Sequence, residues 1–437
     1  MKAEGSCTAR ELALKLLVDT DNRQSYSNLA LDAALKRAGL DARDSRFCTA
    51  LYYGTLERQY TLDLVIADNV DTRGKKLSSE IKNILRLGIF QLLYMDSVPD
   101  NAAVDESVRL AKKNKNPAAS GFVNAVLRGF LRKDKALPTQ PDRLHDLALE
   151  YSCPPPLVEK WLGEYGEDVT KAMLSGSLSA PPVTVCVNTT KATLEETEQL
   201  LREDGIEPER NKFAENFLTI GRGSIEKTKA YKLGLVHAQD LSSRLCCEAL
   251  GAQPGETVLD ICAAPGGQSF TVSEPMQNKG RLLAFDLHEN RVRLIADGAN
   301  RLGLDIIEAS VNNGKVFSEN IPLADRILCD APCSGLGVIR RKPEIKYKDL
   351  SEFERLPQIQ YEILETSLRY LRPGGRLIYS TCTLSRAEND EVADRLLKEH
   401  PELSPCELGG PFKGSRVTIS CKDYDSDGFF IAGFSKR

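Results

Sequence analysis

Among 437 residues there are one tryptophan, four methionines and four histidines, and no Cys-x-x-Cys pair. His145, His237, His288 and His400 stand far apart, so zinc-ligand spacing is missing and no metal is expected. The twelve cysteines are scattered along a long chain, unlike a short secreted disulfide framework; free thiols in a reducing cytoplasm are the expectation. Cys48, Cys246 and Cys247 read as small core residues. No apolar run approaches the length that spans a bilayer, and the first seventeen residues alternate charged and apolar side chains, which excludes a secretory signal. There is no internal repeat and no low-complexity tract. Neither G-x-G-x-x-G nor G-K-[ST] occurs at the main glycine loop, which argues against a dinucleotide fold and a phosphate-binding loop there.

What is present is ordinary in bulk and uneven in distribution. Hydrophobic content of 41% and charged content of 27% suit a globular chain of two or three domains. The net charge is −4, yet residues 1–135 carry +5 and the remainder −9. A basic segment joined to an acidic one points to a polyanion partner at the basic end. Basic clusters fall at 73–76, 112–115 and 128–135.

Apolar residues of the basic segment repeat with helical period, for example Leu12, Leu16, Ile81, Leu85, Phe122 and Phe130, so an all-α domain over 1–138 is expected. A polar stretch at 133–141 reads as a linker. Residues 139–235 read as a small α+β module, with strands at 183–187 and 217–220. A capping box, Thr193 and Glu196, starts a helix that runs to Asp204 and stops at Gly205. From 236 to 437 strands and helices alternate. Strands are expected at 257–261, 281–285, 306–310, 325–329 and 376–380, helices at 290–302, 356–371 and 386–399, and two late strands at 416–420 and 428–434. That pattern predicts an α/β doubly wound, Rossmann-like sheet with an antiparallel edge.

Chemistry concentrates at strand ends. Asp330-Ala331-Pro332-Cys333-Ser334-Gly335 follows one predicted strand and Ser380-Thr381-Cys382 closes another. Ligands of open parallel sheets bind beyond these ends, so two thiols and a carboxylate are expected to share a crevice. A thiolate there could add to an electron-poor ring and later leave it. The first strand ends in Asp260-Ile261-Cys262-Ala263-Ala264-Pro265-Gly266-Gly267-Gln268, and the second in Phe285-Asp286. Adjacent glycines let backbone N–H groups approach a ligand, and the acid can accept from ribose hydroxyls. A nucleoside cofactor without a pyrophosphate fits, which points to S-adenosylmethionine. Alone, each feature has a duller reading: a buried thiol, a tight Pro turn, a capping Asp, a solvated basic run.

Taken in order, these motifs make the chain resemble the RNA (cytosine-5) methyltransferases over essentially its whole length. Leu51-Tyr52-Tyr53-Gly54-Thr55-Leu56 and Gly121-Phe122-Val123-Asn124-Ala125-Val126-Leu127-Arg128 resemble a NusB-type RNA-binding domain. That front domain marks the bacterial RsmB type, also called Sun or Fmu, which modifies a cytosine of small-subunit (16S) ribosomal RNA. The segments 286–291, 338–346 and 427–430 are also similar to its motifs. The resemblance implies Cys382 as the C6 nucleophile, Cys333 as the residue that assists release and Asp330 as a partner of N3 or the exocyclic amine. By analogy with DNA methyltransferases, Cys333 is the alternative nucleophile. It further implies S-adenosylmethionine held by Cys262, Ala263, Ala264, Pro265, Gly266, Gly267, Gln268, Asp286, Arg291, Asn313 and Asp330, with ribosomal RNA as partner, a monomer, and a cytoplasmic location without membrane association.

The sequence departs from the family at three positions. Gln268 stands where lysine is usual, Asn313 where aspartate is usual, and Cys186 where arginine is common. Loss of a charge at Gln268 would affect the methionine carboxylate or a nearby active-site group. These departures leave open a non-catalytic RNA-binding or assembly factor with a degenerate cofactor site, and a cytosine-5 methyltransferase of another RNA.

Overall fold

A computed structural model describes residues 7–23, 27–70, 76–113, 118–221 and 224–437. The basic residues at 73–75 and Lys115 lie outside them. The chain forms two compact units. One comprises residues 1–178 together with 339–348, the other 179–338 together with 349–437.

The first unit is helical: α1 (Ala9–Arg23), α2 (Ser27–Ala38), α3 (Ala42–Glu57), α4 (Gln59–Asn69), α5 (Ser79–Tyr94), α6 (Asp100–Lys113), α7 (Ala118–Arg132), α8 (Arg143–Glu150) and α9 (Pro155–Ser177). Capping follows local sequence. Asp41, Ser78 and Asp142 each accept a first-turn N–H of the helix that follows. Helix α5 packs against α1, α3, α4, α6 and α7, and Ile84, Leu85, Leu87 and Ile89 are buried there. Arg86, buried on the same helix, donates to both oxygens of Asp63 and to Asp21. Residues 133–141 hold no helix or strand.

The segment 339–348, which follows the Cys333 loop in sequence, packs within this helical unit. It contains a 3₁₀ turn, Pro343–Tyr347. Lys346 Nζ donates to Glu57 O at 2.7 Å, and Tyr347 Oη receives Tyr60 N–H at 3.4 Å and donates to Ser152 O at 3.4 Å. Arg340, read from sequence as a solvated or phosphate-contacting residue, is buried.

The second unit holds β1 (Val183–Val187), α10 (Leu194–Glu203), β2 (Pro208–Arg210), β3 (Phe217–Ile220), α11 (Lys229–Lys232), β4 (Val236–Ala238), α12 (Leu241–Leu250), β5 (Thr257–Asp260), α13 (Gly267–Ser273), β6 (Arg281–Asp286), α14 (Glu289–Leu302), β7 (Ile307–Val311), β8 (Ala324–Asp330), α15 (Leu356–Leu368), β9 (Leu371–Thr381), α16 (Asp390–Glu399), β10 (Leu403–Pro405), β11 (Arg416–Ile419), α17 (Cys421–Tyr424) and β12 (Phe429–Lys436). The Thr193–Glu196 capping box forms as expected. Strands β2, β3, β1 and β4 make an antiparallel sheet in that order. The larger sheet runs β10-β12-β9-β8-β5-β6-β7, with β11 paired to β12. Strands β9, β8, β5, β6 and β7 are parallel, and β10, β11 and β12 form the antiparallel edge. Two apolar clusters cover its faces, one around Leu245, Phe270 and Ile295, the other around Tyr361, Leu364 and Tyr379.

Two helix boundaries differ from the sequence expectation. Helix α15 ends at Leu368, because the sheet takes over the chain there: Ala324 N–H donates to Tyr370 O at 2.8 Å and Ala324 pairs with Leu371 at the start of β9. Residues 386–389 form a turn ahead of α16, because their polar groups are engaged inward. Tyr379 Oη donates to Glu388 O, and the Asn389 side chain spans Thr381 Oγ1 and Thr383 O.

Candidate active site

Strands β5 and β8 are adjacent, and strand order reverses between them, with β6 on one side of β5 and β8 on the other. The crevice beyond their carboxyl ends is where such sheets bind ligands. Asp260 and the glycine loop leave β5, Asp330 ends β8, and Cys382 follows the end of β9.

The sulfurs of Cys333 and Cys382 stand 3.2 Å apart. Cys382 is fixed by its backbone, since its carbonyl accepts Gly337 N–H at 3.0 Å. Gly337 must be glycine, for a Cβ there would overlap Gly428 O and crowd Cys382 O. Cys333 is fixed from its other side. Buried Glu388 accepts Ser334 N–H at 2.9 Å and the Ser334 hydroxyl, while Gln360 Nε2 bridges Pro332 O and Glu388 Oε2, 3.0 Å from each. Glu388, Gln360 and Gly337 were not anticipated as site residues. The hydrogen bond to Cys382, together with burial, holds the Cys333 thiol well above its ordinary range, and the carboxylates of Glu388 and Asp330 push the same way.

Asp330 Oδ1 accepts the Ser380 hydroxyl at 3.0 Å and Oδ2 accepts Gln268 Nε2 at 3.1 Å. Burial raises this carboxyl to about 6, against the opposing pull of those two donors. Gln268 thus faces the Asp330 carboxyl.

The glycine loop is built tightly. Ala263 N–H donates to Phe285 O and Gly266 N–H to Ala263 O, both at 2.7 Å. Gly266 has φ 110°, and a Cβ on it would overlap the Phe270 ring; a Cβ on Gly267 would overlap Gln239 Oε1. Two buried polar atoms at the loop lack hydrogen-bond partners within the chain: Asp260 Oδ1 and Gln239 Nε2. An acceptor and a donor left open fit the ammonium and carboxylate of an amino-acid ligand end. Asp260 is raised to about 7, chiefly by burial. Cys262, Ala264 and Pro265 lie in the same loop.

Asp286, buried at the end of β6, accepts His288 N–H at 3.1 Å and pairs with Arg291 Nη1 at 3.1 Å. Arg291 Nη2 also donates to Ala264 O at 2.9 Å, so it braces Asp286 against the glycine loop. Asn313 is exposed beyond β7, where its Oδ1 accepts Lys315 N–H at 3.1 Å. Cys186 lies away from the crevice's sulfur pair. It is buried on β1, 3.7 Å from Thr271 Oγ1 and 4.0 Å from Arg244 Nη1.

The chain matches three families end to end: the NusB family over residues 7–132, the RsmF/B-like ferredoxin-like domain over 153–224, and the 16S rRNA methyltransferase RsmB/F family over 247–435. It is 37% identical to the "Probable ribosomal RNA small subunit methyltransferase B" of Bacillus subtilis (strain 168), covering 98% of this chain and 99% of that one. A protein of the same name from Synechocystis sp. (strain ATCC 27184 / PCC 6803 / Kazusa) is 33% identical over 98% of this chain and 99% of its own. The crystal structure of PH0851 matches with a TM-score of 0.84 at 26% identity, covering 100% of both chains.

Proposed function

The chain belongs to the RsmB/F family of 16S rRNA methyltransferases, and we propose that it joins a methyl group to C5 of a cytosine through a transient bond between Cys382 Sγ and C6. S-adenosylmethionine, the family's cofactor, supplies an electrophilic methyl when bound. The observation that carries the reading is the 3.2 Å contact between two sulfurs at the ends of neighbouring parallel strands.

Cytosine C5 is a poor nucleophile until a thiolate adds at C6 and makes C5 enamine-like. Cys382 Sγ forms that bond. Asp330 hydrogen-bonds N3 or the exocyclic amine and favours the adduct. Once C5 carries the methyl group, its proton passes to a base, and Cys333, 3.2 Å from Cys382 Sγ, assists the release. Loss of that proton breaks the Cys382–C6 bond and restores the aromatic ring. The loop at Ala263–Gln268, Asp260, Gln239, Asp286 and Asn313 would hold the cofactor, with Arg291 bracing Asp286.

The three-part division at 1–138, 139–235 and 236–437 belongs to the same proposal: an RNA-binding front domain, a small connecting module and the catalytic domain. So do a monomeric state and a cytoplasmic location. No helix among the described residues is long and apolar enough to cross a membrane.

The test is covalent trapping. Cys333→Ala should accumulate an RNA–protein adduct on a denaturing gel, and Cys382→Ala should form none. The reverse pattern would exchange the two roles. No adduct and no transfer of labelled methyl by the wild type would remove the reading.

A further inference from the structure

Among the described residues no cation stands beside the Asp330 carboxyl. The two groups that hold it, the Ser380 hydroxyl and the Gln268 amide, are neutral. The ionisable groups that bear on it are the Asp260 carboxyl on β5, the Cys246 thiol on α12, the Tyr379 hydroxyl on β9, Cys329 on its own strand and Cys333 in the following loop. Among the described residues no lysine or arginine contributes to its charge balance. A buried carboxylate without a cation holds its proton, and this one is raised to about 6.

The reaction proposed above brings a cation to this spot. C5 is bonded to C6, C6 is bonded to Cys382 Sγ during the reaction, and Cys382 follows Ser380, which holds Asp330, by two residues. Reacting atoms must approach within about 3–3.5 Å, so the methyl-bearing sulfonium falls within charge–charge range of Asp330.

Resting on that reading, we propose that Asp330 is the counter-ion of the cofactor's sulfonium, and that Gln268 makes it available by holding it without a competing charge. Charge then separates substrate from product. S-adenosylmethionine carries the sulfonium, and S-adenosylhomocysteine has a neutral thioether. Binding the first displaces the proton of Asp330; binding the second does not. After transfer the attraction is gone, Asp330 takes up a proton again, and the spent cofactor leaves a site that no longer favours it. Gln268 is therefore a specificity-determining residue that acts through Asp330.

The sign with pH follows. Below its titration range Asp330 is protonated, and sulfonium binding must expel that proton. Affinity for S-adenosylmethionine rises with pH through the range and then levels, more steeply than affinity for S-adenosylhomocysteine, which shares only the contribution of Asp260.

Isothermal titration of the full chain with each compound, at about pH 5 and about pH 7 and in two buffers of different ionisation enthalpy, tests this. Between the two pH values S-adenosylmethionine should gain about tenfold more affinity than S-adenosylhomocysteine and should release more protons at the lower. Gln268→Lys supplies Asp330 with its own cation. It should weaken S-adenosylmethionine about tenfold more than S-adenosylhomocysteine and bring the two pH dependences together. Asp330→Asn should likewise erase the preference, and retained S-adenosylhomocysteine binding shows that each variant is folded. Equal pH dependence for the two compounds, or an unchanged preference in Gln268→Lys, overturns the inference and leaves the methyltransferase reading standing. Failure of the wild type to bind either compound removes both.

Discussion

Cys333 Sγ and Cys382 Sγ are 3.2 Å apart, and each reaches that point from a different strand. A disulfide requires about 2.05 Å, so the sulfurs need approach by only about 1 Å. Hydrogen peroxide should convert the two thiols to a disulfide, its two oxygens leaving as two waters. Methyl transfer should stop, the intact mass should fall by two hydrogens, and dithiothreitol should reverse both. Peptide mapping should join the Cys333 and Cys382 peptides; an unlinked, oxidised Cys382 would contradict the geometry.

Gly337→Ala tests how closely the nucleophile is held. The added methyl meets Gly428 O and Cys382 O, both backbone atoms that cannot turn aside. Cys382 must move, and a displacement of about 1 Å can cost about a hundredfold in rate. The expected result is a fall in kcat for labelled-methyl transfer, with S-adenosylmethionine affinity unchanged by titration. Wild-type kcat would show that Gly337 is incidental.

Glu388→Ala removes the acceptor for Ser334 N–H, the Ser334 hydroxyl and the Gln360 amide. Gln360 Nε2 keeps Pro332 O and the Ser334 hydroxyl keeps Thr383 Oγ1, so Ser334 N–H is the donor left alone, and chemical denaturation should show a loss of about 1–3 kcal/mol. Because the Cys333 loop hangs on Glu388, adduct breakdown should also slow in material that remains folded. Glu388→Gln, which keeps an acceptor oxygen, should be milder in both respects. Equal effects would mean that the charge, not the hydrogen bonding, matters.

Lys346 gives the helical unit a pH dependence of defined sign. Burial lowers its ammonium to about 8. Between about pH 8 and the unfolded value of about 10.4, the unfolded chain binds a proton that the folded chain does not. Stability contributed by this residue therefore rises with pH across that window. Lys346→Met should lose the effect: urea titrations near pH 7 and near pH 10 should show wild type gaining on the order of 2 kcal/mol relative to the variant. A constant difference would show that Lys346 is solvated.

Much of this site was readable along the chain because its chemistry sits at strand ends. Asp330, Cys333 and Cys382 each follow a run of buried apolar residues, and the parallel sheet aligns those runs. The Thr193–Glu196 box and the Gly205 stop were equally local signals. The supporting residues carried no such mark. Glu388 and Gln360 lie 54 and 28 positions from their partners, Ser334 and Pro332, and resemble solvated residues of amphipathic helices. The inward turn at 386–389 depends on Thr381 and Tyr379, which only the folded sheet brings near. The basic run Arg340, Arg341 and Lys342 admitted a solvated reading, although Arg340 and the following Pro343, Ile345 and Lys346 are buried. For Gln268, the residue type was visible as a departure, but its partner could be named only from coordinates.

Strand β9, which delivers Cys382, is flanked by β8 on one side and by β12 on the other, and the turn before β12 presses on Gly337. During synthesis β12 leaves the ribosome well after both cysteines. Docking of Phe429–Lys436 beside β9 therefore completes the sheet on the side of Cys382 that β8 leaves open.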